Sequence, residues 1–265
     1  MVRVYQEYIK CDDYYLFSCS YIPQNYDKIV LLLQGYSHSM TDIDYFMTNV
    51  KNELLKHNCA VVQFDPLGHG DSDGYIEYFN YNVLIQNIKS VVDWIKKHFN
   101  QEIVFVARGL YTLVIKDKNV YQLFKKCIAL NALSISPTEL CEIRNWLINK
   151  ANIEDFNKWF NGIPDYKKDY MECLLYSMGA KLKNLQGQYI NKSYFLDFID
   201  RLADVGNAAN KEQSYIFSTD KDEIVLDNMQ DMSIFNAEYY YKYGALPRDP
   251  DWHFNVINTI VSMCT

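Results

Sequence analysis

Residues 2–9 and 14–21 alternate polar and apolar side chains on either side of Lys10-Cys11-Asp12-Asp13, the pattern of two strands joined as an antiparallel hairpin. The pattern then changes. KIVLLLQG, CAVVQF and EIVFVA are continuous apolar runs, as strands read when both faces of the sheet are covered. Between them lie an amphipathic segment at 43–57 and a second at 82–99, where Val83, Ile85, Ile88, Val91, Val92 and Ile95 recur at helical spacing. CIALNAL adds a further short strand. Strand and helix alternate, so the expected fold is α/β, with a mostly parallel central sheet flanked by helices on both faces.

After Ser136-Pro137 the strand pattern stops. To about Gly206 the chain carries aromatic and leucine positions at helical spacing, and SYIFSTDKDEIV then restores a strand before a last amphipathic helix that His253 is expected to open. The expected organisation is a core of residues 1–136 and 207–265 with a helical cap insertion, 137–206, over one edge. A chain of 265 residues, 49% hydrophobic, is long enough for both.

Charge and composition narrow the function classes. A net charge of −7 with no basic stripe argues against nucleic-acid binding. No stretch approaches the roughly 18 apolar residues of a membrane span. Seven cysteines, an odd number without CxxC spacing, fit a reducing compartment, and residues 1–17 lack the apolar run of a signal peptide, so a cytoplasmic protein is expected. Histidines 38, 57, 69, 98 and 253 show no H-x-H or H-E-x-x-H spacing, and the glycine-rich loop lacks both G-x-G-x-x-G and a Walker lysine. No metal and no cofactor are expected.

Three features then line up. One buried strand ends in Gln34-Gly35-Tyr36, a second runs into Asp65-Pro66-Leu67-Gly68-His69-Gly70-Asp71-Ser72, and late in the chain Asp222 follows a strand while His253 stands near the start of the final helix. This resembles the α/β-hydrolase superfamily over nearly the whole chain. The nearest likeness is to the capped serine-hydrolase branch of monoglyceride-lipase-like and S33-peptidase-like proteins, and more loosely to exosortase-associated hydrolases.

The resemblance implies a site. Chain order in the family is nucleophile, acid, histidine, which here becomes Gly109, Asp222, His253. The oxyanion donors would be the backbone N–H groups of Tyr36 and Leu110. Gln34, Gly35, Ser37, Arg108, Tyr111 and Ser134 would line the pocket. The family's G-x-S-x-G elbow aligns with Ala107-Arg108-Gly109-Leu110-Tyr111, and all three defining positions depart from it. Glycine at the apex can keep the sharp turn while supplying no attacking group. A tyrosine in place of the last glycine should push the helix outward or turn its ring into the site.

Two classes of function stay open. In one, Asp222 and His253 act as a general base on an acyl or carbonyl small molecule or peptide, as a hydrolase, lyase or cyclase without a serine nucleophile; a serine relocated to 37, 39, 134 or 136 would restore the usual chemistry. In the other, the pair is vestigial and the protein is a catalytically inactive homologue that binds a ligand or scaffolds a partner.

Overall fold

A computed structural model of the chain describes residues 1–35, 40, 45–130, 213–217, 231–234 and 250–265, with the backbone course alone for 213–217, 231–234 and 250–253. The expected cap, 137–206, lies outside the described residues, as does most of its junction with the core.

The described strands form one sheet. They are β1 (Val2–Cys11), β2 (Tyr14–Pro23), β3 (Lys28–Leu33), β4 (Cys59–Phe64), β5 (Glu102–Arg108), β6 (Lys126–Leu130), β7 (Gln213–Phe217) and β8 (Asp231–Ile234). Their order is β1-β2-β4-β3-β5-β6-β7-β8. β1 pairs with β2, and β2 with β4, antiparallel; every later pairing is parallel. The sheet is therefore mixed, opened by the hairpin its alternation predicts. The turn is only Asp12-Asp13, with Asp12 at φ 50, a region an aspartate tolerates better than a branched residue.

The apolar strands are buried because both of their faces carry helices. From β3, Leu31 and Leu33 point to one side, with Val62, Phe64, Phe105 and Ala107; there they meet Leu84, Ile88, Val91, Val92 and Ile95 of helix α2 (Tyr81–His98). Val30 and Leu32 point to the other side, with Val61, Val104 and Val106. That side is covered by Phe46, Met47, Val50 and Leu54 of α1 (Phe46–Lys56), and by Val256, Ile260 and Val261 of the last helix (Pro250–Cys264). Each such side chain withdrawn from water contributes roughly 1.5–3 kcal/mol, so the two layers fix which face of every strand is which.

Local signals set the helix ends. Asn80 caps α2, its side chain accepting from Val83 N at 3.0 Å, and Lys96, Lys97 and His98 occupy the last turn, where positive charge suits the helix dipole. A four-residue helix, α3 (Lys118–Tyr121), is capped by Asp117, which accepts from Asn119 N at 2.8 Å. The last helix, α4, starts at Pro250, where a proline loses no intrahelical bond. His253 therefore lies inside its first turn, and the helix starts three residues earlier than the sequence pattern suggested. At its other end the ammonium of Lys28 donates to the carbonyl of Thr265, and that of Lys126 to the carbonyl of Met263 at 3.1 Å.

After β5 the chain winds directly into a 3-10 helix, Gly109–Lys116. Eight residues is long for that geometry, and Thr112, Val114 and Ile115 supply β-branched positions that favour an α-helix least.

Candidate active site

The strand order reverses direction at β3. From β3 the chain steps outward to β4 on one side, then crosses to β5 on the other, so the crevice beyond the carboxyl ends of β3 and β5 is the switch point where open α/β sheets place their ligands. The parallel register pairs Leu33 with Ala107, which sets Gln34 beside Arg108 at the mouth of that crevice. Of the sequence-derived site residues, Gln34, Gly35, Arg108, Gly109, Leu110 and Tyr111 fall on this edge. Tyr36, Ser37, Ser134 and Asp222 lie outside the described residues, as do Ser39 and Ser136. His253 is placed by backbone alone, one turn before the buried Val256.

Gln34 and Arg108 are both buried, at 1% and 4% exposure, on the side of the sheet that α1 covers. The Arg108 guanidinium sits over the ring of Phe46, 5.9 Å from its centroid, which lets the cation meet a π-face in place of water. Gln34 Nε2 donates to Asp65 Oδ1 at 3.3 Å, while its own Oε1 is buried with no hydrogen-bond partner among the described residues. Gly109 follows Arg108 as the first residue of the 3-10 helix, so the strand passes directly into a helix there.

Asp65 organises two segments at once. Its carboxylate accepts from the backbone N–H of Met40 at 3.1 Å and from that of Asp71 at 3.3 Å. Burial pushes its pKa up to about 6, against the pull of those two backbone amides. Gln63, one pleat earlier on β4, donates from Nε2 to the Met40 carbonyl at 2.8 Å. Gln63 of β4 and Asp65 just beyond it thus grip both polar groups of one residue, Met40, in the loop after β3. Neither was singled out from the sequence as a site residue. The available signal was a glutamine inside the otherwise apolar run CAVVQF, since a polar side chain buried there must find a partner.

The 65–74 loop accounts for its own motif. Gly70 has φ 50, and a Cβ there would stand 2.0 Å from Asp65 Oδ2; Gly68 has φ 72, and a Cβ would meet Ile76 N at 2.5 Å. Ser72 Oγ donates to the Asp65 carbonyl and accepts from Phe17 N at 2.8 Å; Asp73 accepts from Tyr15 N at 2.8 Å. Leu67 N donates to Asn87 Oδ1 at 2.9 Å, tying the loop to α2. These roles are architectural, and they hold the loop against the hairpin and helix on either side of it.

Tyr111 belongs to the same construction. Its ring is fully buried, turned into the core under that loop, and its hydroxyl lies 3.0 Å from His69 Nε2. His69 Nδ1 is 2.9 Å from the Leu67 carbonyl. A carbonyl can only accept, so Nδ1 carries the proton of the neutral ring, Nε2 is the acceptor, and Tyr111 donates. Phe79 closes the pocket, 4.7 Å from His69 and 6.0 Å from Tyr111, centroid to centroid.

Among the described residues no group of His, Cys, Asp and Glu could hold a metal ion, and no helix is long and apolar enough to cross a membrane. Cys11, Cys19, Cys59 and Cys264 are free, buried thiols.

The sequence matches no protein-family model and no curated protein. Solved structures match it over nearly its whole length. A highly thermostable carboxyl esterase from Bacillus coagulans is similar with a TM-score of 0.66 at 10% identity, over 99% of this chain and 98% of that one. An esterase from Pyrococcus furiosus gives a TM-score of 0.62 at 15% identity, over 99% and 90%. Ferulic-acid-bound Est1E from Butyrivibrio proteoclasticus gives 0.59 at 18% identity, over 97% and 95%. Together with the strand order, these likenesses show the α/β-hydrolase fold with a mixed sheet.

Proposed function

We propose that this protein handles an acyl or carbonyl compound, a small molecule or a peptide, at the carboxyl edge of β3 and β5, by general-base chemistry without a covalent serine. The observation that carries the proposal is the turn at Gly109: β5 runs directly into a 3-10 helix there, and the resemblance would put the family's nucleophile at this residue, whose side chain is a hydrogen. The base would be His253, oriented by Asp222, with the N–H groups of Tyr36 and Leu110 as oxyanion donors. His253 precedes Val256 and Ile260 by three and seven residues, the spacing of one helix row, and those two pack on the sheet beside Val104 and Val106. Residues 137–206 would roof the site as a helical cap on a core of 1–136 and 207–265, the arrangement of the capped branch. Such a dyad can activate water directly, or move a proton in an elimination or cyclisation.

A second reading, an inactive homologue that binds a ligand or partner, is favoured by Tyr111. Its hydroxyl takes part in a core hydrogen bond under the 65–74 loop, a structural role at the position where the resemblance would put the elbow's last glycine.

Fluorophosphonate labelling followed by intact mass and peptide mapping separates the readings. Wild type should give no adduct, and Gly109→Ser should give one at residue 109 that disappears when His253→Ala is added. Turnover of an ester, thioester or peptide panel by wild type, abolished by His253→Ala, supports the enzyme. Ligand-induced thermal shifts that persist in His253→Ala, with no turnover, support the binder. An adduct on Ser37, Ser39, Ser134 or Ser136 of wild type would overturn the proposal in favour of a relocated nucleophile.

A further inference from the structure

We propose that two copies of this chain pair through β1, antiparallel about a two-fold axis at Tyr5, extending the sheet from one molecule into the next. β1 is the terminal strand of the sheet order, and its far side has no strand beside it among the described residues. The register with β2 joins Cys11 to Tyr14 across a two-residue turn, and at the other end Gln24 N donates to the Met1 carbonyl. Odd-numbered residues therefore bond to β2, and the N–H and C=O groups of Val2, Val4, Gln6, Tyr8 and Lys10 point out to the open edge. Residues 2 to 8 are all exposed: Val4 and Tyr8 at 56% and 59%, Val2 and Tyr5 at 41% each. An edge of that length with alternate apolar side chains is a template for another strand unless charge forbids it.

Here charge selects a register. Outward-pointing groups must pair with outward-pointing groups, so the paired residue numbers sum to an even value. A sum of 14 sets Glu7 against Glu7 of the second copy, 12 sets Arg3 against Ile9, and 8 sets Arg3 against Tyr5. A sum of 10 alone sets Arg3 against Glu7, twice by symmetry, in non-hydrogen-bonded positions where side chains lie closest. The same register lays Val2 against Tyr8 and Val4 against Gln6 on the opposite face, and covers apolar surface that is otherwise wet. Neither Arg3 nor Glu7 has an ion-pair partner within the described part of the chain.

The tests use the full chain and are independent of any activity. By sedimentation, wild type should self-associate; Arg3→Glu or Glu7→Arg alone should weaken association by about tenfold or more, and the double swap should restore it. Both sites are exposed, and unchanged circular dichroism and melting would show that the fold is intact. Tyr5→Cys, at the axis, should oxidise to a covalent dimer, because facing residues in such positions lie within disulfide reach. Gln6→Cys and Val2→Cys should not. A monomeric wild type overturns the proposal, as does a double swap that stays dissociated, or cross-linking by Gln6→Cys in place of Tyr5→Cys.

Discussion

The hydroxyl of Tyr111 donates to Nε2 of His69 across 3.0 Å of buried space, joining the first turn after β5 to the loop after β4. Tyr111→Phe removes this buried hydrogen bond, at a cost of about 1–3 kcal/mol in chemical denaturation. Tyr111→Gly should cost about 3–5 kcal/mol through the cavity it opens. A Tyr111→Phe midpoint equal to wild type would mean the bond does not stabilise the fold.

Asp65 predicts a pH dependence. Its folded pKa, near 6, lies above the ordinary carboxylate value of 3.8, so the folded state holds its proton more tightly than the unfolded state. The associated stability is fully present below about pH 4, falls as pH rises toward 6, and is flat above that, with a total of about 3 kcal/mol. Unfolding free energies for wild type and Asp65→Asn should differ in slope between pH 4 and 6 and run parallel on either side of that window. Parallel curves between pH 4 and 6 would contradict the assignment.

Gly70 should not accept a side chain. Gly70→Ala brings a Cβ against the Asp65 carboxylate at a φ of 50, so a loss of about 3 kcal/mol is expected. In an Asp65→Ala background the same change should cost measurably less, because the steric part has been removed; additive costs in that double-mutant cycle would leave backbone strain as the whole cause.

Gln63→Leu keeps the volume on β4 and deletes the hydrogen bond to the Met40 carbonyl. Stability should fall by about 1–2 kcal/mol, and exchange of the Met40 amide, still held by Asp65, should quicken as its peptide loses one of its two anchors. Unchanged protection at Met40 would show that Asp65 suffices.

What the sequence discloses here follows the range over which each interaction acts. β3, β4 and β5 are legible because burial on both faces demands an unbroken apolar run, and α2 because its stripe repeats over eighteen residues. β8 escapes notice, since Asp-Met-Ser-Ile is too short to show a period. The 3-10 winding after β5 is also invisible to a spacing argument that recognises helices by an apolar stripe alone. The site divides in the same way. Gln34, Arg108 and Gly109 are found by their places at strand ends. The bonds from Gln63 and Asp65 to Met40, and from Tyr111 to His69, join residues 23 to 42 positions apart, and no local pattern announces them.

The anchoring of α4 at Lys28 and Lys126 has a consequence for His253. Those lysines begin β3 and β6, at the edge of the sheet opposite the crevice, and they hold the carboxyl end of a helix of 15 residues, about 22 Å long. The helix works as a measuring rod whose zero is set at the far edge. One residue inserted between Val256 and Ile260 would move His253 about 1.5 Å along the rod and swing it through roughly 100°, a change of address that no adjustment of the preceding loop could undo.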